Sequence, residues 1–283
     1  MIDGVALADE MASETAARAA AFRAQWGRAP GLYVVLVGDN PASARYVRSK
    51  QAAAQRLGID AVIIHLAADS TTDSILGSIR ELNESESVDA ILVQMPLPEQ
   101  VNPSVIIGAV RPTRDVDGFH PTNMGLLAER RPYVVPCTPA GCLALIEGTG
   151  TDLFGKRAVV VGRSAIVGLP LMLLLNAQDA TVTLCHRFTR DLREITRQAE
   201  VLVVAAGVPG LIHGEDVAPG AVVIDVGQTR VEGKLVGDVD FTSVVESASW
   251  LTPVPGGVGP MTVAMVLRNT VTLAELARET TDG

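Results

Sequence analysis

Cysteine and aromatic side chains are scarce: three cysteines in 283 residues, and 4% Phe, Trp and Tyr together. So few thiols exclude a disulfide-built scaffold, and their spacing argues against a structural zinc site. Cys137 and Cys142 stand five apart, Cys185 is alone, and no second pair or nearby histidine set completes a metal shell. They read as small buried or half-buried thiols of a reducing compartment. No run of Lys or Arg occurs, and the 32 acidic residues outnumber the 23 basic ones for a net charge of −9. That balance argues against a nucleic-acid partner but leaves room for a few local donors that hold a small anion. No uncharged apolar run reaches the roughly 20 residues needed to span a bilayer. The opening Met1-Ile2-Asp3-Gly4-Val5 is not a basic stretch followed by an apolar one. The expectation is a soluble, cytoplasmic protein acting on a small molecule, with no membrane partner and no metal.

What is abundant is Ala, Val, Leu and Gly. At 48% hydrophobic and 19% charged residues the chain can build real cores, and its length suits two domains. Ala6–Trp26 is Ala-rich but broken by charges, as in a surface helix. Short apolar runs at Leu32–Gly38, Asp60–Leu66 and Ala90–Val93 read as buried strands. Between them, 42–57 and a segment opened by Ser70-Thr71-Thr72-Asp73 read as helices. Alternating strand and helix implies right-handed crossovers and a parallel sheet. Arg111–Gly141 is rich in Pro, Gly, Asn and Thr, holds no hydrophobic period, and reads as functional loops crossing between two lobes. The α/β pattern then restarts, with strands at Ala158–Gly162, Thr181–Cys185, Val201–Ala205 and Ala221–Val226 and a helix near Leu169–Asn176. Thr252–Pro260 reads as a rigid loop and Met261–Arg278 as a closing helix.

The first strand of the second lobe runs into Gly162-Arg163-Ser164-Ala165-Ile166-Val167-Gly168. Glycine there allows a tight turn, and the following helix offers free N–H groups to a pyrophosphate. Ser164 stands where a second glycine is usual, so the loop alone is a weak dinucleotide signal. An NAD site generally carries an acid about 25 residues on, to hold the ribose hydroxyls. Here the next strand ends in Cys185-His186-Arg187 instead. Arg187 with Arg163 suits the 2′-phosphate of NADP; the alternative is that Arg187 and Arg190 merely decorate a solvated turn.

In the first lobe, Tyr46 and Lys50 share one face of a predicted helix, where a phenol and an amine can relay a proton or support a flat ring. A plain surface pair has the same pattern. So do short-chain dehydrogenases, but there the pair follows the glycine loop, whereas here it precedes it by more than a hundred residues. Gln94 ends the third strand, where α/β proteins usually meet their ligands. Asp117, in Asp115-Val116-Asp117-Gly118-Phe119-His120, could accept two bonds from an amidine-like edge or simply cap a turn.

Taken together and in order, Tyr46–Lys50, Val93–Pro98, Asp115–Pro121, Pro136–Pro139, Gly162–Gly168 and Pro253–Thr262 resemble the bifunctional methylenetetrahydrofolate dehydrogenase/methenyltetrahydrofolate cyclohydrolase family over nearly the whole chain. The resemblance implies an N-terminal α/β folate-binding catalytic domain (1–118 and 260–283) and a Rossmann-type NADP-binding domain (119–259), with the C-terminal helix returning to the first lobe. It also implies a homodimer. Lys50 would be the general acid/base of the cyclohydrolase step, Tyr46 would stack on the folate, Gln94 would bond to Lys50, and Asp117 would anchor the pterin. Pro255, Gly256 and Gly257 would close against folate and nicotinamide. Gly162, Arg163, Ser164, Val167, Gly168, His186, Arg187 and Gln228 would line the NADP site. Folate on the first lobe would point its methylene carbon at the nicotinamide of the second. Two positions depart from the family pattern. Gln228 stands where an aliphatic residue is usual, and Arg48 replaces a smaller residue between Tyr46 and Lys50. A dehydrogenase of another small substrate on the same frame, and a non-catalytic folate or nucleotide binder, are the competing readings.

Overall fold

The computed structural model of the chain describes residues 1–279. The chain divides into two compact units, one of Glu10–Val135 with the chain from Val266 onward, the other of Met1–Asp9 with Pro136–Met265. Helix α1 (Gly4–Trp26) and the last helix, α10 (Val258–Glu279), each contribute to both.

The first unit is built on strands β1 (Gly31–Val37), β2 (Asp60–Leu66) and β3 (Ala90–Val93), all parallel, in the order β2-β1-β3. The central strand is apolar along its length and almost wholly buried, as a strand covered on both faces must be. Helices α2 (Pro41–Arg56) and α3 (Thr72–Glu84) make the crossovers, and α4 (Pro103–Ile107) and α5 (Pro121–Ala128) follow β3. Helix α3 forms because the Thr71 hydroxyl accepts the Ser74 N–H at 3.2 Å and Ile75, Ile79 and Leu82 recur on one face. Burying each of those side chains stabilises the fold by roughly 1.5–3 kcal/mol. Just before β3, the Asp89 carboxylate accepts two bonds from Arg28 at 2.7 Å and one from the Gly31 N–H at 2.8 Å, which fixes where β1 and β3 begin.

The second unit opens with α6 (Cys137–Glu147) and carries five parallel strands: β4 (Arg157–Val161), β5 (Thr181–Cys185), β6 (Val201–Val204), β7 (Val222–Asp225) and β10 (Trp250–Leu251), in the order β10-β7-β6-β4-β5. Helices α7 (Gly168–Ala177), α8 (Leu192–Thr196) and α9 (Phe241–Val244) connect them, and an antiparallel hairpin, β8 (Thr229–Val231) with β9 (Lys234–Val236), leaves the sheet after β7. Its core is mainly β-branched: Val159, Val161, Leu202, Val204, Val223 and Leu251. The chain passes from β4 to a neighbour on one side and then on the other, the reversal that opens a crevice at the carboxyl ends of the strands.

Two expectations fail locally. The stretch 111–141 is not a run of loops: it holds a 3₁₀ turn at Pro112–Arg114, α5, and the first turns of α6. Neither helix shows a hydrophobic period: α6 is buried on most sides, and the short α5 buries only Asn123 and Leu127. A Cβ on Gly141 would press on Met261 at 2.9 Å. The loop expected over Thr252–Pro260 gives way to α10 from Val258.

Candidate active site and cofactor site

Lys50 lies on the inner face of α2 with only 8% of its surface exposed, and its Nζ donates to Gln94 Oε1 at 3.0 Å. Gln94 continues the β1–β3 ladder through its N–H to the Val35 carbonyl, at 2.9 Å, so the strand aims its side chain. Its Nε2 donates to the Met95 carbonyl at 2.7 Å, which leaves Oε1 turned to the amine. Among the described residues no carboxylate pairs with Lys50. The result is a buried amine held by a neutral acceptor, an arrangement suited to general acid/base work. Tyr46 lies one turn earlier on the same helix and is 42% exposed, as a ring that meets a ligand must be.

Asp117 reaches the same sheet end by another route. Asp115 bridges to Ile91 in parallel, and the Val116 N–H donates to the Ile91 carbonyl at 3.3 Å, so the segment runs alongside β3. It then turns at Gly118, whose φ of +70° favours glycine. Asp117 is half-buried and lines a narrow recess with Ile91, Val93, Met95 and Phe119.

Three residues without an assigned role in the sequence hold that turn. The buried Asp115 carboxylate accepts the His120 N–H at 2.7 Å and Asn123 Nδ2 at 3.0 Å. Burial pushes its carboxyl above the usual range, and these bonds pull it back. Asn269, on α10, donates through Nδ2 to the carbonyls of Val116 and Val135, both at 2.9 Å. A lone amide in the apolar stretch of α10 was the available signal, since a buried amide must find partners.

In the second unit, Gly162 ends β4 at φ +122°, where a Cβ would collide with the Ala205 carbonyl. Gly168 opens α7 where a Cβ would collide with the Gly162 carbonyl. Both glycines therefore bring backbone into close approach, the condition for a diphosphate to sit against main-chain N–H groups. Between them Ser164 Oγ accepts the Val167 N–H at 3.1 Å and shapes the turn. At the end of β5 the His186 N–H donates to Thr189 Oγ1 at 2.8 Å, and His186 Nδ1 accepts the Phe188 N–H at 3.2 Å. That turn presents Arg187, its guanidinium 4.6 Å over the Phe188 ring. Arg163 and Arg187 are both exposed, and neither has a carboxylate partner among the described residues. The closely approached backbone and two uncommitted guanidiniums fit a phosphorylated dinucleotide.

The segment after β10 runs through a cis Val254–Pro255 bond into Gly256 (φ +106°) and Gly257. A Cβ on Gly257 would sit 2.7 Å from the Pro253 carbonyl, and one on Gly4 would collide with the Gly257 carbonyl, so this loop is pressed onto the start of α1. Gln228 is exposed just past β7, its amide beside Gly259 in the first turn of α10. The structure thus groups Tyr46, Lys50, Gln94 and Asp117 in one unit. It groups Gly162, Arg163, Ser164, Val167, Gly168, His186, Arg187, Gln228, Pro255, Gly256 and Gly257 in the other.

A parallel sheet with a buried amine at its carboxyl end, joined to a doubly wound unit with a glycine-built phosphate turn, defines a dinucleotide-dependent enzyme of the two-domain α/β class. Comparison with known proteins narrows this. Residues 2–117 match the catalytic domain and residues 136–278 the NAD(P)-binding domain of tetrahydrofolate dehydrogenase/cyclohydrolase. A relative from Acidithiobacillus ferrooxidans, described as bifunctional protein FolD, is 52% identical over 97% of this chain and 96% of its own. The crystal structure of the bifunctional methylenetetrahydrofolate dehydrogenase/cyclohydrolase from Campylobacter jejuni superposes with a TM-score of 0.94 at 44% identity, covering 98% of each chain. The Trypanosoma brucei enzyme, solved with NADP and an inhibitor, matches at 0.94 and 40% identity over 98% of each chain. The chain belongs to the tetrahydrofolate dehydrogenase/cyclohydrolase family. Among the described residues no helix is long and apolar enough to cross a membrane.

Proposed function

We propose that the chain oxidises 5,10-methylenetetrahydrofolate with NADP and then hydrolyses the 5,10-methenyl product to 10-formyltetrahydrofolate, with Lys50 carrying the protons of the second step. The observation that carries this reading is the buried Lys50 amine bonded to Gln94 at 3.0 Å and paired with no carboxylate among the described residues.

Asp117 anchors the pterin, its carboxylate accepting from the 2-amino group and N3. Tyr46 lies along the folate ring system. The Gly162–Gly168 turn, with Arg163, Ser164, Val167, His186 and Gln228, holds the dinucleotide, and Arg187 reads its 2′-phosphate. NADP bound there would supply the acceptor for the hydride that departs from the methylene carbon. The lone pairs of the folate nitrogens drive that departure, so this step asks no base of the protein. Pro255, Gly256 and Gly257 cover the reacting groups and exclude water. In the second step water adds to the methenyl carbon, and Lys50, as the free amine, takes the proton the water releases. Lys50 returns it to N5 as the carbon–N5 bond breaks, and the hydroxyl of the adduct releases its own proton to solvent, leaving the formyl group on N10. Gln94 keeps the amine directed through both transfers.

In functional terms 1–118 with 260–283 serve folate and 119–259 serve the cofactor. A cytoplasmic homodimer joined through the cofactor unit completes the proposal. The test is spectrophotometric: purified protein with methylenetetrahydrofolate and NADP should form NADPH, then lose the methenyl absorbance. No NADPH would reject the dehydrogenase reading and favour another substrate or a binding role.

A further inference from the structure

Two carboxylates of the second unit take no part in this chemistry yet lie wholly inside the protein: Asp225 is 4% exposed and Asp238 not at all. They bracket the β8–β9 hairpin, Asp225 closing β7 before it and Asp238 following β9. Asp225 Oδ1 accepts the N–H groups of Gly227 and Asp238, both at 2.9 Å, and Oδ2 accepts that of Val239 at 3.0 Å, so this one side chain closes the base of the hairpin. Asp238 reaches the other way. Its Oδ2 accepts the N–H groups of Ala206 and Gly207, both at 2.7 Å, at the turn that ends β6. That turn is next to the phosphate turn, because Gly162 is packed against the Ala205 carbonyl. Glycine makes room for both acids: a Cβ on Gly227 would collide with the Asp238 carboxylate, and one on Gly237 with that of Asp225.

Buried carboxylates are costly, and burial raises both of these above the ordinary carboxylate range. Among the described residues Asp238 Oδ1 has no hydrogen-bond partner of good geometry. A core apolar pair would be the cheaper way to hold a hairpin down. What the carboxylates supply is a fixed point for five backbone N–H groups on three segments, each emerging at the carboxyl ends of β6 and β7 or just past the hairpin. These strand ends flank β4 on the side opposite β5, where a doubly wound sheet receives its ligand.

We infer that Asp238 is a positioning residue for the cofactor. It sets the Ala206-Gly207 turn, and with Asp225 the Gly227-Gln228 segment, in the conformation that receives the nicotinamide half of NADP before NADP arrives. The inference rests on the assignment of NADP to this unit. Its experiment compares Asp238→Ala and Asp238→Asn with the unaltered protein in three readouts: the NADP dissociation constant by calorimetry, the KM for NADP against kcat, and amide hydrogen exchange of Ala206 and Gly207 without cofactor. Cyclohydrolase activity on supplied methenyltetrahydrofolate, which needs no NADP, reports the fold and the folate side independently.

Asp238→Ala should weaken NADP binding and raise its KM by about 10-fold or more, two charge-assisted bonds being lost. Exchange of the Ala206 and Gly207 amides should speed up, while cyclohydrolase activity stays within about twofold of the unaltered protein. Asp238→Asn keeps an acceptor oxygen for both amides and should restore most of the affinity. NADP affinity unchanged in Asp238→Ala, or both activities falling in parallel, would overturn the positioning role. Should Asp238→Ala not fold, Asp238→Ser, too short to reach both N–H groups, decides by the same criteria. Failure of the unaltered protein to bind NADP would instead reject the underlying assignment.

Discussion

Replacing Gln94 by Leu keeps the volume of the side chain and removes the one acceptor that Lys50 has among the described residues. The amine is 8% exposed, so water cannot readily replace the lost oxygen. The amide is also anchored, its Nε2 donating to the Met95 carbonyl at 2.7 Å, so the bond to Lys50 at 3.0 Å is built into the strand end. A hydrogen bond to a charged group contributes about 1.5–3 kcal/mol. If that stabilisation is expressed in directing the amine, a decade per 1.4 kcal/mol gives a loss of roughly 10- to 100-fold in the hydrolytic step. The dehydrogenase step needs no protein base and should stay within about threefold, the margin for small shifts in folate placement. Decay of methenyltetrahydrofolate absorbance measures the first and NADPH formation the second. Gln94→Glu should be as harmful to hydrolysis by the opposite route, since a carboxylate pairs with the ammonium and withholds it from proton transfer. Cyclohydrolase within about twofold of the unaltered protein in Gln94→Leu, or equal losses of both activities, would refute the reasoning.

Other expectations follow from the same geometry. Asn269→Leu leaves the Val116 and Val135 carbonyls without their donor and should cost about 2–4 kcal/mol in urea unfolding. It should also raise the KM for folate, because the turn carrying Asp117 loses its anchor. Arg187→Ala should narrow the preference for NADP over NAD by roughly 10-fold or more, measured as the ratio of kcat/KM values, and an unchanged ratio would place the phosphate elsewhere. Asp225 gives a pH signature. Burial, opposed by its three N–H donors, sets its carboxyl at about 6 against 3.8 unfolded, so between those values the folded state binds the proton more tightly. Its contribution to stability is then full below pH 4 and is lost as pH rises through 6. The unfolding free energy of the unaltered protein relative to Asp225→Asn should therefore improve by on the order of 1–3 kcal/mol on acidification from pH 7 to 4.5, and a constant difference would contradict the assigned environment.

The sheets were legible because buried parallel strands announce themselves: β2, β3 and β5 have the limits that their apolar runs suggest, and β1, β4, β6 and β7 differ by a residue or so. Helices α5 and α6 were not: α6, buried on most sides by Cys, Pro, Gly and apolar residues, shows no polar face, and the short α5 buries only Asn123 and Leu127, too few to set a period. In the site, motif order drew attention to Tyr46, Lys50, Gln94 and Asp117. It passed over Asn269 and Asp238, whose roles depend on backbone groups 153 and 31–32 positions away and leave no local pattern. The Lys50–Gln94 bond, across 44 positions, was named from family resemblance and not from spacing.

The central claim is that one chain performs both steps and that Lys50 serves only the second. Lys50→Met keeps the length and apolar stem of the side chain while deleting the amine. Both activities of this variant, measured beside folate binding, test the claim most directly. The account predicts cyclohydrolase reduced to background with substantial NADP-dependent dehydrogenase retained; hydrolysis persisting, or both activities vanishing together while folate still binds, would contradict it.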